Sequence, residues 1–330
     1  MPTVALDARD ALDPPLRGWG RYARELARAL LAIGAPVRVL GRGWPGPEAL
    51  WEQAGLPLAA LARGCRVVHA PNCFLPLVRP CPGVVTVHDL AFEAFPDDFA
   101  PRTRWKYRVL ARAAARSAER VIGVSQATAD DVVARWGVAA ERVRVVPNAP
   151  ALPLGGGPVA LDGGEPYLLG VGDLRAKKAW DVLVRAWRRS GLPHRLVIAG
   201  ADAGEGARLR ALGGPRLELP GYVDDARLDP LLRGAAALVH PSRYEGFGMV
   251  VLEAMARGVP VVCANATALP ETAGGAAALF PVDDDDALAA TLRVVLAHPA
   301  IWTARGRARA AEFSWERTAR ATWDVYAELL

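Results

Sequence analysis

The chain has 330 residues, of which 52% are hydrophobic and 23% are charged, and its formal net charge is +5. A chain of this length is longer than a single hydrophobic core usually supports, so two domains of roughly 150 residues are expected. The composition is that of a globular protein and excludes a disordered one. The small charge excess does not by itself indicate a nucleic-acid-binding protein. No apolar run reaches the roughly 18 residues needed to span a bilayer, and no secretory signal is visible, so we expect a cytoplasmic protein.

Short apolar runs alternate with helical segments from the N-terminus onward. In residues 1–150 the predicted strands are TVAL, PVRVL, RVVHA, VVTVH, RVIGV and VRVVP. The helices between them include RYARELARALLAIG, TRWKYRVLARAAARSAE and ATADDVVARWG. Uninterrupted apolar runs separated by helices predict a parallel sheet that is buried on both faces. Residues 1–150 are therefore predicted to form a doubly wound α/β domain.

A Pro/Gly-rich stretch then interrupts the pattern and predicts a linker at residues 151–165. From residue 166 the alternation restarts, with the strands PYLLGVG, HRLVIAG, RLELPG, AALVHPS, VPVVCAN and AALFP. Residues 166–312 are predicted to form a second doubly wound α/β domain, and residues 313–330 a terminal helix. In such sheets ligands bind beyond the carboxyl ends of the strands, so we expect a site in a cleft between the domains.

Several residues that could suggest a metal or catalytic site have simpler interpretations. Asp283 to Asp286 lie at a predicted helix start, where aspartate caps backbone N–H groups and complements the helix dipole. The cysteines lack the close C-x2-C spacing of structural zinc sites, and we interpret them as reduced thiols. Three histidines fall at strand edges or a helix end and are expected to be structural. They are His194, His240 and His298.

The segment PRTRWKYRVLARAAARSAER, residues 101–120, carries seven basic residues and one acid. A solvated helix face is the simpler interpretation of this charge. The alternative is attraction to an anionic membrane surface or to a lipid-linked acceptor.

Neither a P-loop nor a G-x-G-x-x-G fingerprint after the first strand is present, which argues against kinases and dehydrogenases. Several predicted loops carry glycine or polar residues instead. RGWGRY places Gly18 and Gly20 just before a helix, and VHDLAF places His88 at the end of a strand. GVGDLRAKKAW supplies Arg175 and Lys178 between a strand and a helix.

The fourth loop belongs to RYEGFGMVVLEAMARGVPVV, residues 243–262, in which a helix is predicted to begin near Gly248. Unsatisfied N–H groups at the helix start, together with glycines that allow close approach, favour a diphosphate. Glu253 lies more than one turn into the helix and suits two ribose hydroxyls. Glu245 precedes the helix, where the far end of the same ligand would lie. Lys178 would neutralise the phosphates.

The segment E-G-F-G-x-x-x-x-E, from Glu245 to Glu253, resembles the signature of the family 4 retaining glycosyltransferases of the GT-B fold. The similarity continues in order through GRYARELARAL, VHDLAF, RVIGVSQATADDVV, YLLGVGDLRAKKAWDVLVRAW and FSWERTARATWDVY. It implies an α/β fold of two Rossmann-like doubly wound parallel-sheet domains that face a central cleft. The final helix is expected to cross back onto the N-terminal, acceptor-binding domain, and the C-terminal domain to bind the nucleotide sugar.

The resemblance also implies an activity. The chain would transfer a sugar, with retention of configuration, from a nucleotide-diphosphate sugar to a hydroxyl of a glycan, lipid-linked or small-molecule acceptor. GDP-mannose is the first donor expected and a UDP-sugar the next. The resemblance implies no metal and no cofactor, and it suggests no nucleic-acid partner. A bacterial glycan or lipid-linked acceptor fits the expected cytoplasmic location, and the basic helix around residues 102–120 is the one feature that suggests contact with the inner face of the membrane.

Residue roles follow from the same resemblance. His88 would lie beside the reacting carbon, Lys178 would bind the phosphate and Glu245 the hydroxyls of the donor sugar. Glu253 would bind the ribose. The other expected donor-binding residues are Gly18, Gly20, Arg175, Tyr222, Val223, Gly246, Phe247, Gly248, Met249 and Val250. This chain departs from many members at Asp173, an acid where they have arginine.

Two other functions remain open. A non-catalytic nucleotide-sugar-binding protein would bind the nucleotide but would neither transfer the sugar nor hydrolyse the donor. A GT-B sugar-nucleotide epimerase would isomerise the donor with no acceptor present. A phosphorylase would need a pyridoxal-phosphate lysine, and no segment marks one.

Overall fold

A computed structural model describes residues 3–12, 16, 18–41, 46–155 and 164–330. The chain divides into two compact units, Met1–Ala151 together with Phe313–Leu330, and Leu152–Glu312. Part of the predicted linker, residues 156–163, lies outside the described residues.

The first unit contains a six-stranded parallel sheet in the order β2-β1-β3-β4-β5-β6. Its strands are β1 Val4–Asp7, β2 Val37–Leu40, β3 Val67–Ala70, β4 Gly83–Val87, β5 Arg120–Gly123 and β6 Val143–Val145. Its helices are α1 Arg9–Leu12, α2 Gly18–Ala32, α3 Glu48–Leu50, α4 Leu56–Ala62, α5 Ala91–Ala94, α6 Pro101–Lys106, α7 Arg112–Ser117 and α8 Gln126–Trp136. All six predicted strands are confirmed.

Alternate residues of these strands fill two separate cores, which explains their uninterrupted apolar sequences. One core contains Ala5, Val68 and Val85 and includes Trp136 of α8. The other contains the neighbouring residues Val4, Val67 and Val84, with Tyr22, Leu26 and Leu30 of α2. The sheet is therefore covered on both faces, as a doubly wound domain requires.

The second unit contains a parallel sheet in the order β12-β11-β10-β7-β8-β9. Its strands are β7 Tyr167–Val171, β8 Arg195–Ala199, β9 Leu217–Gly221, β10 Ala237–His240, β11 Val261–Ala264 and β12 Ala278–Phe280. Its helices are α9 Trp180–Ser190, α10 Gly206–Gly213, α11 Asp225–Gly234, α12 Met249–Ala256, α13 Leu269–Ala273, α14 Asp285–Ala297 and α15 Pro299–Ala310. Counted from β7, this is the strand order of the Rossmann fold, and the first sheet begins with the other common doubly wound order, 2-1-3-4-5. The predicted pair of Rossmann-like parallel-sheet domains is therefore confirmed.

The last helix, α16 Trp315–Ala327, belongs to the first unit. Tyr326 lies in the same core as α2, and its hydroxyl is 2.6 Å from Nδ1 of His69 on β3. The other ring nitrogen of His69 is 2.8 Å from Thr86 Oγ1, and burial lowers the pKa of His69 to about 3. A neutral, fully buried histidine thus joins the final helix to the centre of the first sheet.

Two details differ from the sequence predictions. Gly18 and Gly20 were expected just before a helix but lie in the first turn of α2, because the helix starts at Gly18. The predicted helix over residues 103–119 is two α-helices, α6 and α7, joined by a π-helical turn at Tyr107–Ala111. No single helix among the described residues is long and apolar enough to cross a membrane, although one bent pair, Asp285–Ala297 with Pro299–Ala327, meets that criterion when counted together.

Candidate functional site

The second sheet reverses its strand order between β7 and β10, which are adjacent and parallel. The chain leaves β7 through Gly172 and Asp173 into a 3-10 turn that ends at Lys178. It leaves β10 at His240 and reaches Glu245 five residues later. Since the carboxyl ends of the two strands meet at one edge, these loops share the position where doubly wound sheets bind ligands.

Lys178 and Glu245 form a close ion pair at this position, with Lys178 Nζ 2.5 Å from Glu245 Oε1. Their side chains are only 15% and 12% exposed. Burial raises the pKa of Glu245, but the Lys178 ammonium and the nearby His240 outweigh burial, so the pKa lies well below its ordinary value. The site therefore contains a carboxylate that is ionised at neutral pH and a lysine held against it.

The local backbone explains how Lys178 reaches Glu245. Gly172 has φ +147, and a Cβ there would lie 3.2 Å from Lys178 Cε, so glycine leaves room for the lysine stem. Ala179 then adopts the left-handed conformation with φ +52 and starts α9. The indole of Trp180 donates a hydrogen bond to Asp173 O at 3.0 Å and fixes the beginning of the turn.

Arg243 connects the two loops. Its backbone N donates to Lys177 O at 2.8 Å, and its guanidinium donates to Ala176 O. The same guanidinium pairs with Asp283, 2.7 Å from Nε to Oδ1. Arg243 therefore supports the turn that carries Lys178 but is itself already paired.

The acid at Asp173, where many family members have arginine, lies near a cation. Arg175 Nε is 3.6 Å from Asp173 Oδ2, and the two side chains are 27% and 36% exposed. Arg175 is expected to bind the donor, and what the structure shows is that it offsets the charge of Asp173.

The segment Gly246–Val250 leads from the ion pair into α12. Gly248 is the N-cap of α12 with φ +89, and a Cβ there would lie 2.8 Å from Leu269 Cδ2. Thr267 holds the preceding turn, because its hydroxyl accepts from Glu245 N at 2.9 Å and donates to Glu245 O at 2.8 Å. Phe247 is buried, and its carbonyl accepts from Thr272 Oγ1 at 2.5 Å. The first turn of α12, with Met249 and Val250, therefore starts directly beside the ion pair.

Glu253 lies in the middle of α12 and is 2% exposed. Its Oε1 accepts a hydrogen bond from Leu152 N at 3.1 Å. Arg257, one turn later, donates to the carbonyls of Glu253 at 2.9 Å and Pro153 at 2.7 Å. Glu253 thus fixes the first residues of the second unit, a contact that is not predicted from the sequence. The motif EGFG-x4-E does not indicate that Glu253 accepts a hydrogen bond from a residue 101 positions away in the sequence.

Tyr222 and Val223 follow β9 at the carboxyl edge of the same sheet. Tyr222 is 48% exposed, whereas Val223 is buried. An exposed aromatic ring at this edge is compatible with the base stacking that the resemblance implies.

The remaining predicted residues, Gly18, Gly20 and His88, belong to the first unit. His88 follows β4, its Nε2 is 2.7 Å from Pro71 O, and its ring packs edge-on against Tyr22 with centroids 4.7 Å apart. Because a carbonyl only accepts, Nε2 carries the proton. Burial lowers the pKa of His88, so the ring is neutral at neutral pH and Nδ1 is unprotonated. Gly20 is required by packing, since a Cβ would lie 2.6 Å from Asp10 O.

In the part of the chain that the structure describes, no group of three or more His, Cys, Asp or Glu residues is placed to hold a metal ion. Asp284 caps α14, with Oδ1 accepting from Ala287 N at 2.8 Å, so the structural interpretation of the aspartate run is confirmed. The four cysteines, Cys65, Cys73, Cys81 and Cys263, are free thiols. Burial raises the pKa of Cys73 and of Cys263 to about 12, which keeps both in the thiol form.

His240, which is expected from the sequence to be structural, lies beside the ion pair. His240 Nε2 is 3.0 Å from the same Glu245 oxygen that Lys178 contacts. One feature of the sequence could have indicated this contact. His240 lies at the end of a predicted strand, and the loop that carries Glu245 follows directly.

Comparison with known proteins gives a family match for each half of the chain. Residues 165–298 match the family described as "Glycosyl transferases group 1", and residues 16–149 match the family described as "Glycosyltransferase Family 4". The chain is similar to the O-antigen chain mannosyltransferase B of Escherichia coli, with 32% identity over 287 residues. That alignment covers 79% of this chain and 74% of the relative.

Solved structures with a similar fold cover the whole chain. Sucrose-phosphate synthase from Thermosynechococcus elongatus superposes with a TM-score of 0.77 at 24% identity, covering 100% of this chain and 99% of the other. The Anabaena HepE structure in complex with UDP and glucose gives a TM-score of 0.75 at 20% identity, covering 100% of both chains. With the two family matches, the mannosyltransferase relative and these folds, the chain belongs to the group 1, family 4 glycosyltransferases of the GT-B fold.

Proposed function

We propose that the protein is a retaining, metal-independent glycosyltransferase that moves a sugar from a nucleotide-diphosphate sugar to a hydroxyl of a glycan or lipid-linked acceptor. The observation that carries the proposal is the 2.5 Å contact between Lys178 Nζ and Glu245 Oε1 where the second sheet reverses its strand order. One cation for a diphosphate and one carboxylate for sugar hydroxyls lie together at the start of α12.

In this proposal the diphosphate leaves with growing negative charge from an oxocarbenium-like transition state. Lys178 and the N–H groups at the start of α12 stabilise that charge. Glu245 accepts hydrogen bonds from the donor sugar, and Glu253 accepts them from the ribose. The acceptor hydroxyl attacks the face from which the diphosphate departs, and the leaving phosphate takes its proton. His88, as a neutral imidazole with Nδ1 unprotonated, offers a hydrogen-bond acceptor to a hydroxyl near the reacting carbon.

The donor is proposed from the relatives. GDP-mannose comes first, because the similar protein of Escherichia coli is an O-antigen chain mannosyltransferase. A UDP-sugar comes second, because the HepE structure contains UDP and glucose. A bacterial glycan built on a lipid is the proposed acceptor class.

Ligand-induced thermal shifts with GDP, UDP, ADP and TDP test this function first. One nucleotide should raise the unfolding temperature, because a ligand that binds only the folded state stabilises it. The matching nucleotide sugar should then be consumed in the presence of an acceptor and of EDTA. NMR of the product should show the anomeric configuration of the donor. Binding without transfer or hydrolysis would instead indicate a nucleotide-sugar-binding protein, and an isomerised donor without acceptor would indicate an epimerase.

We further propose that the α6–α7 segment contacts an anionic membrane from the cytoplasmic side. Five exposed residues recur at helical spacing along it, namely Arg102, Trp105, Val109, Arg112 and Arg116. Trp105 and Val109 are 61% and 45% exposed. A stripe of arginines around an exposed tryptophan suits insertion of the aromatic ring among anionic headgroups.

Replacing Trp105 and Arg112 together by glutamate should therefore abolish sedimentation with vesicles that contain phosphatidylglycerol. The loss of two favourable contacts and the gain of two negative charges near the headgroups account for the effect, at about 1 kcal/mol for each charge. Arg320→Glu, on the exposed side of α16, is the control for reversing the charge of an arginine outside this segment. Equal sedimentation of the double variant and the wild type would show that this stripe is only a solvated helix face.

A further inference from the structure

His240 is the last residue of β10 and is 1% exposed. Its Nε2 lies 3.0 Å from Glu245 Oε1 and 3.4 Å from Ser242 Oγ. No role in donor binding was expected of it from the sequence. Its position at the end of a central strand and its burial restrict where the ring can move.

The protonation of His240 follows from its partners. Glu245 is ionised, so its oxygen can only accept, and Nε2 of His240 must carry the proton in this contact. Burial lowers the pKa of His240 despite the opposing attraction of Glu245, which leaves the ring neutral. Its Nδ1 is buried and has no hydrogen-bond partner among the described residues. The polar contacts of the ring therefore lie on its Nε2 side, where Glu245 is the nearest partner.

Two donors thus share one oxygen of Glu245, because Lys178 Nζ and His240 Nε2 both contact Oε1. They differ in mobility. Lys178 is a flexible side chain on a short turn and is 15% exposed, whereas His240 has two side-chain torsions and is enclosed. The Lys178 ammonium can therefore move away from Glu245, whereas the enclosed ring of His240 stays in contact with it.

We propose that His240 is a positioning residue that keeps Glu245 in place when Lys178 moves from Glu245 to the diphosphate of the donor. This inference rests on the proposed function. Without donor, Lys178 neutralises Glu245. With donor, the ammonium binds the diphosphate, and the Nε2–H of His240 remains on Oε1 so that Oε2 points to a hydroxyl of the donor sugar. His240 therefore determines how well the sugar, rather than the nucleotide, is held.

The test compares two substitutions of His240 whose amide side chains differ in length. His240→Gln places an amide donor about where Nε2 lies, whereas the amide of His240→Asn is one methylene too short to reach Glu245. His298→Asn, at an exposed helix start, is the matched control. Dissociation constants are measured for GDP and GDP-mannose, or for UDP and UDP-glucose, whichever pair the wild type binds, and kcat and KM are measured for the same donor.

His240→Asn should bind the nucleotide diphosphate within about twofold of the wild type. Its affinity for the nucleotide sugar and its kcat/KM should fall roughly 10- to 100-fold, the effect of losing a hydrogen bond to a charged group. His240→Gln should recover most of the affinity for the nucleotide sugar and most of kcat/KM. His298→Asn should equal the wild type in both quantities. A purely structural role would weaken the diphosphate and the sugar complex equally.

Two results would overturn the positioning role. One is an equal loss of affinity for the diphosphate and the nucleotide sugar in His240→Asn. The other is a Gln variant no better than the Asn variant. If His240→Asn does not fold, His240→Leu replaces it in the same comparison with Gln. A wild type that consumes no nucleotide sugar contradicts the proposed function itself, whereas an active wild type with an unaffected Asn variant contradicts only the role of His240.

Discussion

Replacement of Lys178 by alanine should lower the rate of sugar transfer by about 100- to 1,000-fold, the usual effect of removing one group that stabilises transition-state charge. Lys178 Nζ is the cation that Glu245 holds beside the start of α12, 2.5 Å from Oε1. The loss should appear mainly in kcat, because the negative charge grows as the diphosphate departs. Single-turnover transfer from the donor identified by thermal shift measures it.

The alanine variant also removes the only cation of the two donors that contact Glu245 Oε1, and the Glu245 side chain is 12% exposed. The Glu245 pKa should then rise, since burial would no longer be opposed by the ammonium. Lys178→Arg keeps the charge and separates this effect from catalysis. Arg320→Ala, which removes an exposed cation of α16, is the control for losing a cation elsewhere. Near wild-type transfer by Lys178→Ala would rule out the proposed phosphate role.

The fold could be predicted from the sequence because both sheets are buried on both faces. Strands such as β4 and β11 consist almost entirely of buried apolar residues, and such runs leave an unambiguous trace between helices. Helices with weaker patterns were not predicted. Examples are α10, which begins and ends with glycine, and α15, where arginine and alanine alternate without an apolar stripe.

The pairing of Lys178 with Glu245 could be only partly predicted. The residues are 67 positions apart, and each follows a strand, but their contact requires β7 and β10 to be neighbours. Strand order depends on long-range packing and leaves no local trace in the sequence. The resemblance to a family supplied that information, and the local pattern alone did not.

The contact of His240 with Glu245 was not predicted, for a different physical reason. Its contact with Glu245 depends on the tight path of the intervening loop, which Thr267 fixes from another part of the chain. A histidine at a strand end is most often structural, and only the folded loop brings its ring to the carboxylate. Side-chain contacts that rest on such turns do not follow from periodicity.

Replacement of Glu253 by glutamine should separate the two roles of this residue. Glutamine retains an oxygen that can accept from Leu152 N, so the start of the second unit should stay fixed and the unfolding temperature should change little. It loses the negative charge, and hydrogen bonds to charged groups contribute about 1.5–3 kcal/mol. We therefore expect the affinity for the nucleotide to fall roughly 10- to 100-fold. Glu253→Ala should in addition lower stability, because Leu152 N would be left buried without its acceptor.

The ribose hydroxyls provide the decisive comparison for Glu253. The wild type should bind the 2′-deoxy form of its nucleotide about tenfold more weakly, since one hydrogen bond to a carboxylate is missing. Glu253→Gln should show little further loss with the deoxynucleotide, because the two changes remove the same interaction. Glu316→Gln, an exposed residue of α16, should keep the full discrimination. If Glu253→Gln discriminates as strongly as the wild type, Glu253 acts only by holding Leu152, and the ribose must be recognised by another group.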